Sequence, residues 1–419
     1  MERRTFFWSR PRSGGSRRRA VTLAGLAGAV GLCALVFGRA PQTAASSARV
    51  PTDPDEVLES LPFPASDARS REIAGLRRAL AASPKDLPRA VRLARLDVLL
   101  SRERSDPRYL GHAQAALAPW WNEESPPVDV LVLRATIEQS LHDFEAALTD
   151  LDRAVRLEPN HAQAWLTLAV VLTVRGRYRE ARESCGHLVP LASNLVVAVC
   201  QTGIDSVNGQ AAPAYARLGE MLARSAEVSP DEEAWARSSL AEYAVRAGKL
   251  DEAEQQFRRT IELDPNDGYS RAAAADLLLD RGKPKDALAL VQGREVNDAL
   301  LLRIAIAERQ LRAPDAESHI EALSARFDAS RLRGDVVHRR EEARFWLTLK
   351  GDAARALSLA KANWDVQKEP ADARILLDAA RAAKQPQEAA AVLAWLAETK
   401  LEDPFIAKVA AELRGVPSP

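Results

Sequence analysis

The chain has 419 residues, 47% of them apolar, 28% charged and 5% aromatic, which is too hydrophobic for a disordered polypeptide. The abundance of Ala, Leu, Arg and Glu favours helix nearly throughout, because these side chains lose little rotamer freedom there. The formal net charge is zero, yet Met1 to Ala48 hold eight Arg against one Glu, leaving −7 on the remainder; a groove that neutralises phosphates needs the opposite sign, so composition argues against a nucleic-acid partner.

Residues 1–19 form an Arg-rich leader ending in Arg17, Arg18 and Arg19. An uncharged run, AVTLAGLAGAVGLCALVF, occupies residues 20–37, and Arg39 follows it. A helix of that length at ~1.5 Å per residue spans roughly 27 Å, close to the ~30 Å hydrocarbon core of a bilayer, so the run reads as a transmembrane anchor or a signal helix. Pro41 disfavours cleavage after Ala40, and the next small-residue sites, after Ala45 and Ala48, lie 8 and 11 residues past Phe37. Seven Arg before the run and only Arg39 and Arg49 shortly after it put the amino terminus in the cytoplasm. The expectation is a bacterial inner-membrane anchor with the rest of the chain in the periplasm, or the same part released there after signal cleavage. Residues 38–67 are rich in Pro, Ala and Ser and read as a flexible linker.

From residue 68 the pattern is helical, and a seven-residue shape recurs within it: LHDFEAA at Leu141, RGRYREA at Arg175, AGKLDEA at Ala247 and RGKPKDA at Arg281. The steps are 34, 72 and 34 residues, a 34-residue repeat with one double step that carries four extra residues. In each unit an apolar segment ends at a turn residue, Gly176, Gly248 or Gly282, and an Ala follows five positions on, at Ala181, Ala253 or Ala287. Gly ends a helix in the left-handed region without steric cost, and His142 takes that place in the first unit. The Ala marks where the returning helix comes nearest the first, since a larger side chain there would push the pair apart. EPN (Glu158 to Asn160) and DPN (Asp264 to Asn266) then stop the second helix, because Pro159 and Pro265 cannot continue it.

This pattern resembles the tetratricopeptide repeat. Residues 162–195 match its motif best, through Trp165, Leu168, Ala169, Gly176, Tyr178 and Ala181, while Cys185 and Leu188 replace the usual aromatic and Ala. The preceding unit matches through Phe144, Ala147, Ala154 and Pro159 but has Arg134 where Leu is usual. Residues 234–267 and 268 to about 291 also match; 195–229 is degenerate. Outside 128–291 only the turn-to-Ala step persists, at Gly351 with Ala356 and Lys384 with Ala389.

The resemblance implies an all-α fold over residues 68–415, a right-handed solenoid of antiparallel helix pairs with a concave groove. It implies a non-catalytic scaffold for a protein or peptide partner, with no cofactor and no small-molecule substrate. In the family, the second, fifth, ninth and twelfth or thirteenth positions of each first helix face the groove. Here they select Trp235, Ser238, Glu242 and Arg246, then Tyr269, Ala272, Asp276 and Asp280. The basic and Asn positions of the family's chaperone-tail clamp are missing from the matching units. The expected groove is therefore aromatic and acidic, Trp235 and Tyr269 giving apolar contact and Glu242, Asp276 and Asp280 meeting the basic flanks of a bound segment. The alternative is that both aromatics pack between neighbouring helices. Two functions fit: a tethered interaction scaffold, or an assembly or regulatory factor for an envelope enzyme system such as cytochrome maturation or outer-membrane assembly.

No H-E-x-x-H, G-x-S-x-G or phosphate-cradling loop occurs in the sequence. His338, Glu341 and Glu342 have helical metal-ligand spacing, but Arg339 and Arg340 between them would repel a cation, and no metal is expected. Trp120, Trp121, Trp346, Trp364 and Trp395 lie in helical segments and read as core. Cys185 and Cys200 fall on consecutive helices that pack together. The sequence leaves open a disulfide in an oxidising compartment or two small buried hydrophobes.

Overall fold

In a computed structural model the described residues are 68–104, 106–332 and 338–415. The leader, the apolar run at 20–37 and the linker at 38–67 lie outside them, and no helix among the described residues is long and apolar enough to cross a membrane. The described residues form helices and turns, with no strand. Helices α1 (Ala68–Ala82), α2 (Leu87–Arg104), α3 (Arg108–Ala116) and the single turn α4 (Ala118–Trp121) lead into successive antiparallel pairs. These are α5/α6 (Val128–Ser140, Phe144–Leu157), α7/α8 (Ala162–Val174, Tyr178–Gly186) and α9/α10 (Asn194–Val207, Ala211–Arg224). Next come α11/α12 (Pro230–Arg246, Leu250–Leu263), α13/α14 (Gly268–Asp280, Pro284–Val291) and α15/α16 (Asp298–Leu311, Ala316–Leu332). Helix α17 (Arg339–Phe345) runs into a π-turn at Trp346–Lys350 and pairs with α18 (Ala353–Trp364). Helix α19 (Pro370–Ala382) packs on the 3₁₀ turn Pro386–Ala389 that leads into α20 (Ala390–Thr399), and α21 (Pro404–Leu413) closes the stack against α19.

The degenerate stretch at 195–229 is thus an ordinary pair, α9/α10. Its turn residue is Gly209, and Ala214 follows at the same five-residue step. The step recurs along the stack: the turn residues His142, Gly176, Gly209, Gly248, Gly282, Gly351 and Lys384 all have positive φ, between 50° and 76°. The Ala five places after each, from Ala147 to Ala389, is fully buried where the two helices of its pair meet. Side-chain caps fix several helix starts, among them Asp143 for α6, Ser229 with Glu232 for α11, Asp267 for α13 and Asp403 for α21. Each such cap contributes about 1 kcal/mol by satisfying a first-turn N–H. Arg134, the departure in the first unit, forms a two-pronged pair with Asp150 and donates to the Trp121 carbonyl, a polar tie where Leu would pack. Trp120, Trp121, Trp364 and Trp395 are buried and Trp346 is half-buried. Cys185 of α8 and Cys200 of α9 are joined by a disulfide, with Cα atoms 5.8 Å apart.

The stack curves until it meets itself. The α18–α19 loop lies on the α7–α8 turn: Lys368 N–H donates to the Val174 carbonyl at 2.8 Å, and the Arg175 guanidinium donates to the Val366 carbonyl. One unit further on, the α20–α21 loop lies on the α9–α10 turn, where Ala211 N–H donates to the Glu402 carboxylate at 2.9 Å. The Arg175–Val366 and Ala211–Glu402 bonds both span 191 residues. Trp395 Nε1–H donates to the Tyr178 hydroxyl at 3.0 Å, and burial pushes that hydroxyl up to about 12. Phe405 packs beside Ala244, Phe257, Ala274 and Leu277. The concave groove implied by the resemblance is therefore narrowed by the chain's own last helices, which pack across part of it. Bonds between residues so far apart leave no trace in a 34-residue pattern.

Candidate functional site

Closure leaves a cavity of about 510 Å³ at the centre of the curved stack. The first helices of successive pairs, α7, α9, α11, α13, α15, α17 and α19, present one face each to it, and α21 adds Phe405 and Ile406 to its wall, leaving it partly open. Leu166, Val170, Val199, Tyr243, Phe257 and Ile406 give it apolar walls. Seven of the eight residues selected for the groove, Trp235, Glu242, Arg246, Tyr269, Ala272, Asp276 and Asp280, lie on this cavity, as do Leu166 and Val170 at the equivalent positions of α7. Ser238 does not; it is buried and accepts a hydrogen bond from Ser270 Oγ at 2.9 Å, joining α11 to α13.

The start of α11 is set by its Ser229–Glu232 capping box, and Trp235 follows on the first turn and a half. Its half-buried ring packs against apolar clusters on both sides, one holding Leu166 and Cys200, the other Leu195 and Leu240. It is thus both wall and packing, so the two readings of this aromatic coexist. Asp267 accepts N–H bonds from Tyr269 and Ser270 and so fixes Tyr269 at the first turn of α13. From there its hydroxyl donates to Glu242 Oε1 at 2.5 Å. Arg246 donates to the other Glu242 oxygen at 3.1 Å and to Ser206 Oγ.

The expected role of the acidic residues is corrected. Asp276 receives Arg303 at 2.7 and 2.9 Å and Arg344 at 2.6 Å. Burial alone would raise its carboxyl, but the two guanidinium groups outweigh it and hold it at about 2. Asp280 is gripped by both ends of the Arg374 guanidinium, and Glu242 by Arg246 and Tyr269. Carboxylates paired this way are not a bare acidic strip awaiting basic flanks. The chain supplies the basic groups itself, from 68 residues further on for Arg344 and 94 for Arg374. Arg340 on α17 is likewise surrounded, by Glu341, Glu369 and Asp372. Seven acidic and six basic side chains line the cavity, so its wall is close to neutral and its polarity lies in fixed pairs. At the α21 end burial raises the carboxyls of Asp378 and Asp403. Arg374 lies 3.6 Å from Asp378, and its guanidinium carbon is 5.2 Å from the Phe405 ring centroid.

Sequence reasoning missed Arg303, Arg340, Arg344, Lys368, Arg374 and Phe405. Arg303 lies 27 residues after its partner, one unit along, and a unit-to-unit charge comparison could have found it. The others come from units that show little of the repeat motif. The two carboxylates of the His338, Glu341 and Glu342 spacing are engaged within the chain: buried Glu342 accepts from Trp346 Nε1 and Arg355, and Glu341 lies beside Arg340.

A curved α-helical stack whose first helices converge on one cavity is the architecture of a helical-repeat protein. Residues 132–189 and 238–299 match the family model of the tetratricopeptide repeat. A TPR repeat-containing protein of Rhizobium etli is 31% identical over 135 residues, 32% of this chain and 62% of that protein, so the chain spans less than two thirds of that relative's length. Among solved structures, the human IFIT1 dimer with m7Gppp-AAAA is similar at 13% identity, with a TM-score of 0.44, over 83% of this chain and 86% of that one. Yeast Tom70 follows at 12% identity and a TM-score of 0.38, over 83% and 85% of the two chains. A tetratricopeptide repeat protein of Parabacteroides merdae has 14% identity and a TM-score of 0.29, over 68% and 98%. Likenesses this distant carry no functional reading.

Proposed function

We propose that the protein is a membrane-tethered, non-catalytic scaffold that holds a segment of a partner protein in the central cavity. The observation that carries this is the convergence of seven first helices on one cavity with apolar walls and fixed polar pairs. Its volume falls within the ~300–1,000 Å³ usual for ligand sites, and such sites combine apolar walls with a few oriented polar groups. The partner's apolar side chains meet Trp235, Tyr243 and Phe405, and its backbone groups exchange hydrogen bonds with Tyr269, Glu242 and the Arg374–Asp280 pair. Export of the repeat domain is supported by the Arg asymmetry about residues 20–37 and by the Cys185–Cys200 bridge, since disulfides persist in oxidising compartments. One partly open cavity suits a single dedicated partner, which favours the assembly-factor reading over a multi-partner scaffold.

The test is selection of binding peptides from a displayed library on the purified full chain, followed by titration of a selected peptide against Trp235→Ala and Tyr269→Phe. Loss of an anchor costs about 2 kcal/mol or more, roughly thirtyfold in affinity. Loss of the Tyr269 hydroxyl costs about 1 kcal/mol. Lowered melting temperatures with unchanged affinity in the folded fraction would sink the reading.

A further inference from the structure

Charge is distributed unevenly along the folded part. Residues 68–110 hold eleven Lys and Arg against five Asp and Glu, a net charge of +6, whereas the residues after them hold 38 against 47, a net of −9. The fold gathers this excess on α1 and α2, at the first end of the stack. Helix α1 is covered on one side only. Its buried residue, Ile73, packs with Leu93, Leu96 and Leu100 of α2. At ~100° per residue, Arg71 and Arg78 lie about 20° apart and roughly 150° around the helix from Ile73. With Lys85 in the following turn they are exposed, and no carboxylate among the described residues pairs with any of the three. On α2, Arg89, Arg92 and Arg95 are also exposed, in surface pairs with Asp86, Glu72 and Asp129. Such pairs are weak in water and exchange readily for a phosphate.

We propose that this α1–α2 face docks on the surface of an anionic phospholipid bilayer. The inference rests on reading residues 20–37 as a membrane anchor. Thirty residues, 38–67, separate that run from α1, so the tether joins the domain at this basic end and holds it within reach of the bilayer. The two signs of charge then orient the domain, basic end toward the lipid and acidic remainder away from it. Guanidinium groups suit the task because their planar donors bind phosphate oxygens in pairs. Each cation near an anionic surface shifts its partition by about fivefold, so Arg71, Arg78 and Lys85 together supply on the order of 100-fold.

The experiment reconstitutes the full chain, carrying Cys33→Ala and Ser83→Cys, into vesicles of phosphatidylcholine alone or mixed with phosphatidylglycerol. Cys185 and Cys200 are bonded to each other, so a fluorophore attaches to position 83 alone, and energy transfer to an acceptor lipid reports its height above the bilayer. Transfer is expected to rise with phosphatidylglycerol and to fall with added salt, which screens the attraction. The triple variant Arg71→Glu, Arg78→Glu, Lys85→Glu is expected to return it to the phosphatidylcholine level without changing the melting temperature. Transfer indifferent to lipid charge, or unmoved by the triple substitution, overturns the proposal. So does lipid-independent transfer accompanied by binding of a DNA duplex, or by self-association in sedimentation, that the triple variant loses; the face then serves nucleic acid or a second copy. If the chain fails to float with phosphatidylcholine vesicles, the anchor reading falls and flotation decides the docking. Wild type floating with phosphatidylglycerol while the triple variant does not upholds it, and neither floating ends it.

Discussion

Two glycines offer a matched pair for testing whether closure of the stack contributes stability. Gly209 and Gly248 end the first helices of neighbouring pairs with almost the same conformation, φ +71° and +72°. A Cβ at Gly248 meets nothing within 4 Å, whereas one at Gly209 would lie 3.0 Å from Lys400 Cβ and 3.1 Å from the Lys400 carbonyl oxygen. Ala at either site suffers left-handed strain of ~1–2 kcal/mol, partly offset by the stiffer unfolded chain, for a net cost of about 1 kcal/mol. Gly209→Ala must also push the α20–α21 loop off its seat. Overpacking of that kind adds about 1–3 kcal/mol, and the charge-assisted bond from Ala211 to Glu402 is strained with it. The expected excess of Gly209→Ala over Gly248→Ala is therefore about 1–3 kcal/mol. Urea unfolding of the full chain followed by tryptophan fluorescence gives the totals, and amide exchange locates them. Gly209→Ala should speed exchange in both α9–α10 and α20–α21, although the two lie far apart in sequence. Equal losses for the two variants, or faster exchange confined to α9–α10, would refute the claim that the loop and turn hold each other.

The Cys185–Cys200 bridge spans 15 residues, and on chain-entropy grounds its loss costs about 3 kcal/mol. Reductant should lower the melting temperature of the wild type and leave a Cys185→Ser, Cys200→Ser variant unmoved. Burial, reinforced by nearby Arg340, holds the His142 imidazole down at about 3. With a folded value below the unfolded ~6.5, its contribution is fully present above that value and is lost as pH falls toward 3, an effect of about 1 kcal/mol by pH 5 after allowing for partial exposure. His142→Asn, which tolerates the φ of 50°, should flatten the fall in urea midpoint between pH 7 and pH 5; an unchanged slope would assign the loss to other groups.

Much of the repeat was legible because its cause is local. A turn residue with positive φ and a small residue five places later express one steric fact, the closeness of two adjacent helices, and both lie within a dozen residues of chain. The same logic carried to Gly351 and Lys384, where the rest of the motif had faded. The positions of Trp235, Glu242, Tyr269, Asp276 and Asp280 on the cavity were legible for the same reason, since each is fixed by its own helix. What covers them was not. Arg344, Arg374 and Phe405 reach the cavity only because small rotations between successive units add up to a closed curve, and no single unit encodes that sum. The electrostatic role assigned to Asp276 and Asp280 failed there: their partners were already in the chain, one curve further along.

Loops that land on turns 191 residues earlier give this molecule a fixed circumference. Open helical arrays tolerate gain or loss of whole units, because each unit touches only its neighbours. Here a 34-residue duplication anywhere between α10 and α18 would carry Lys368 past the Val174 carbonyl and Glu402 past Ala211, leaving a buried seam with its donors and acceptors mismatched. A duplication before α7 would leave both seats in register. Tolerance of length change along the gene should therefore be low inside the ring, where the count of units is locked, and units added between α2 and α7 would part α2 from α13, which it touches across the curve.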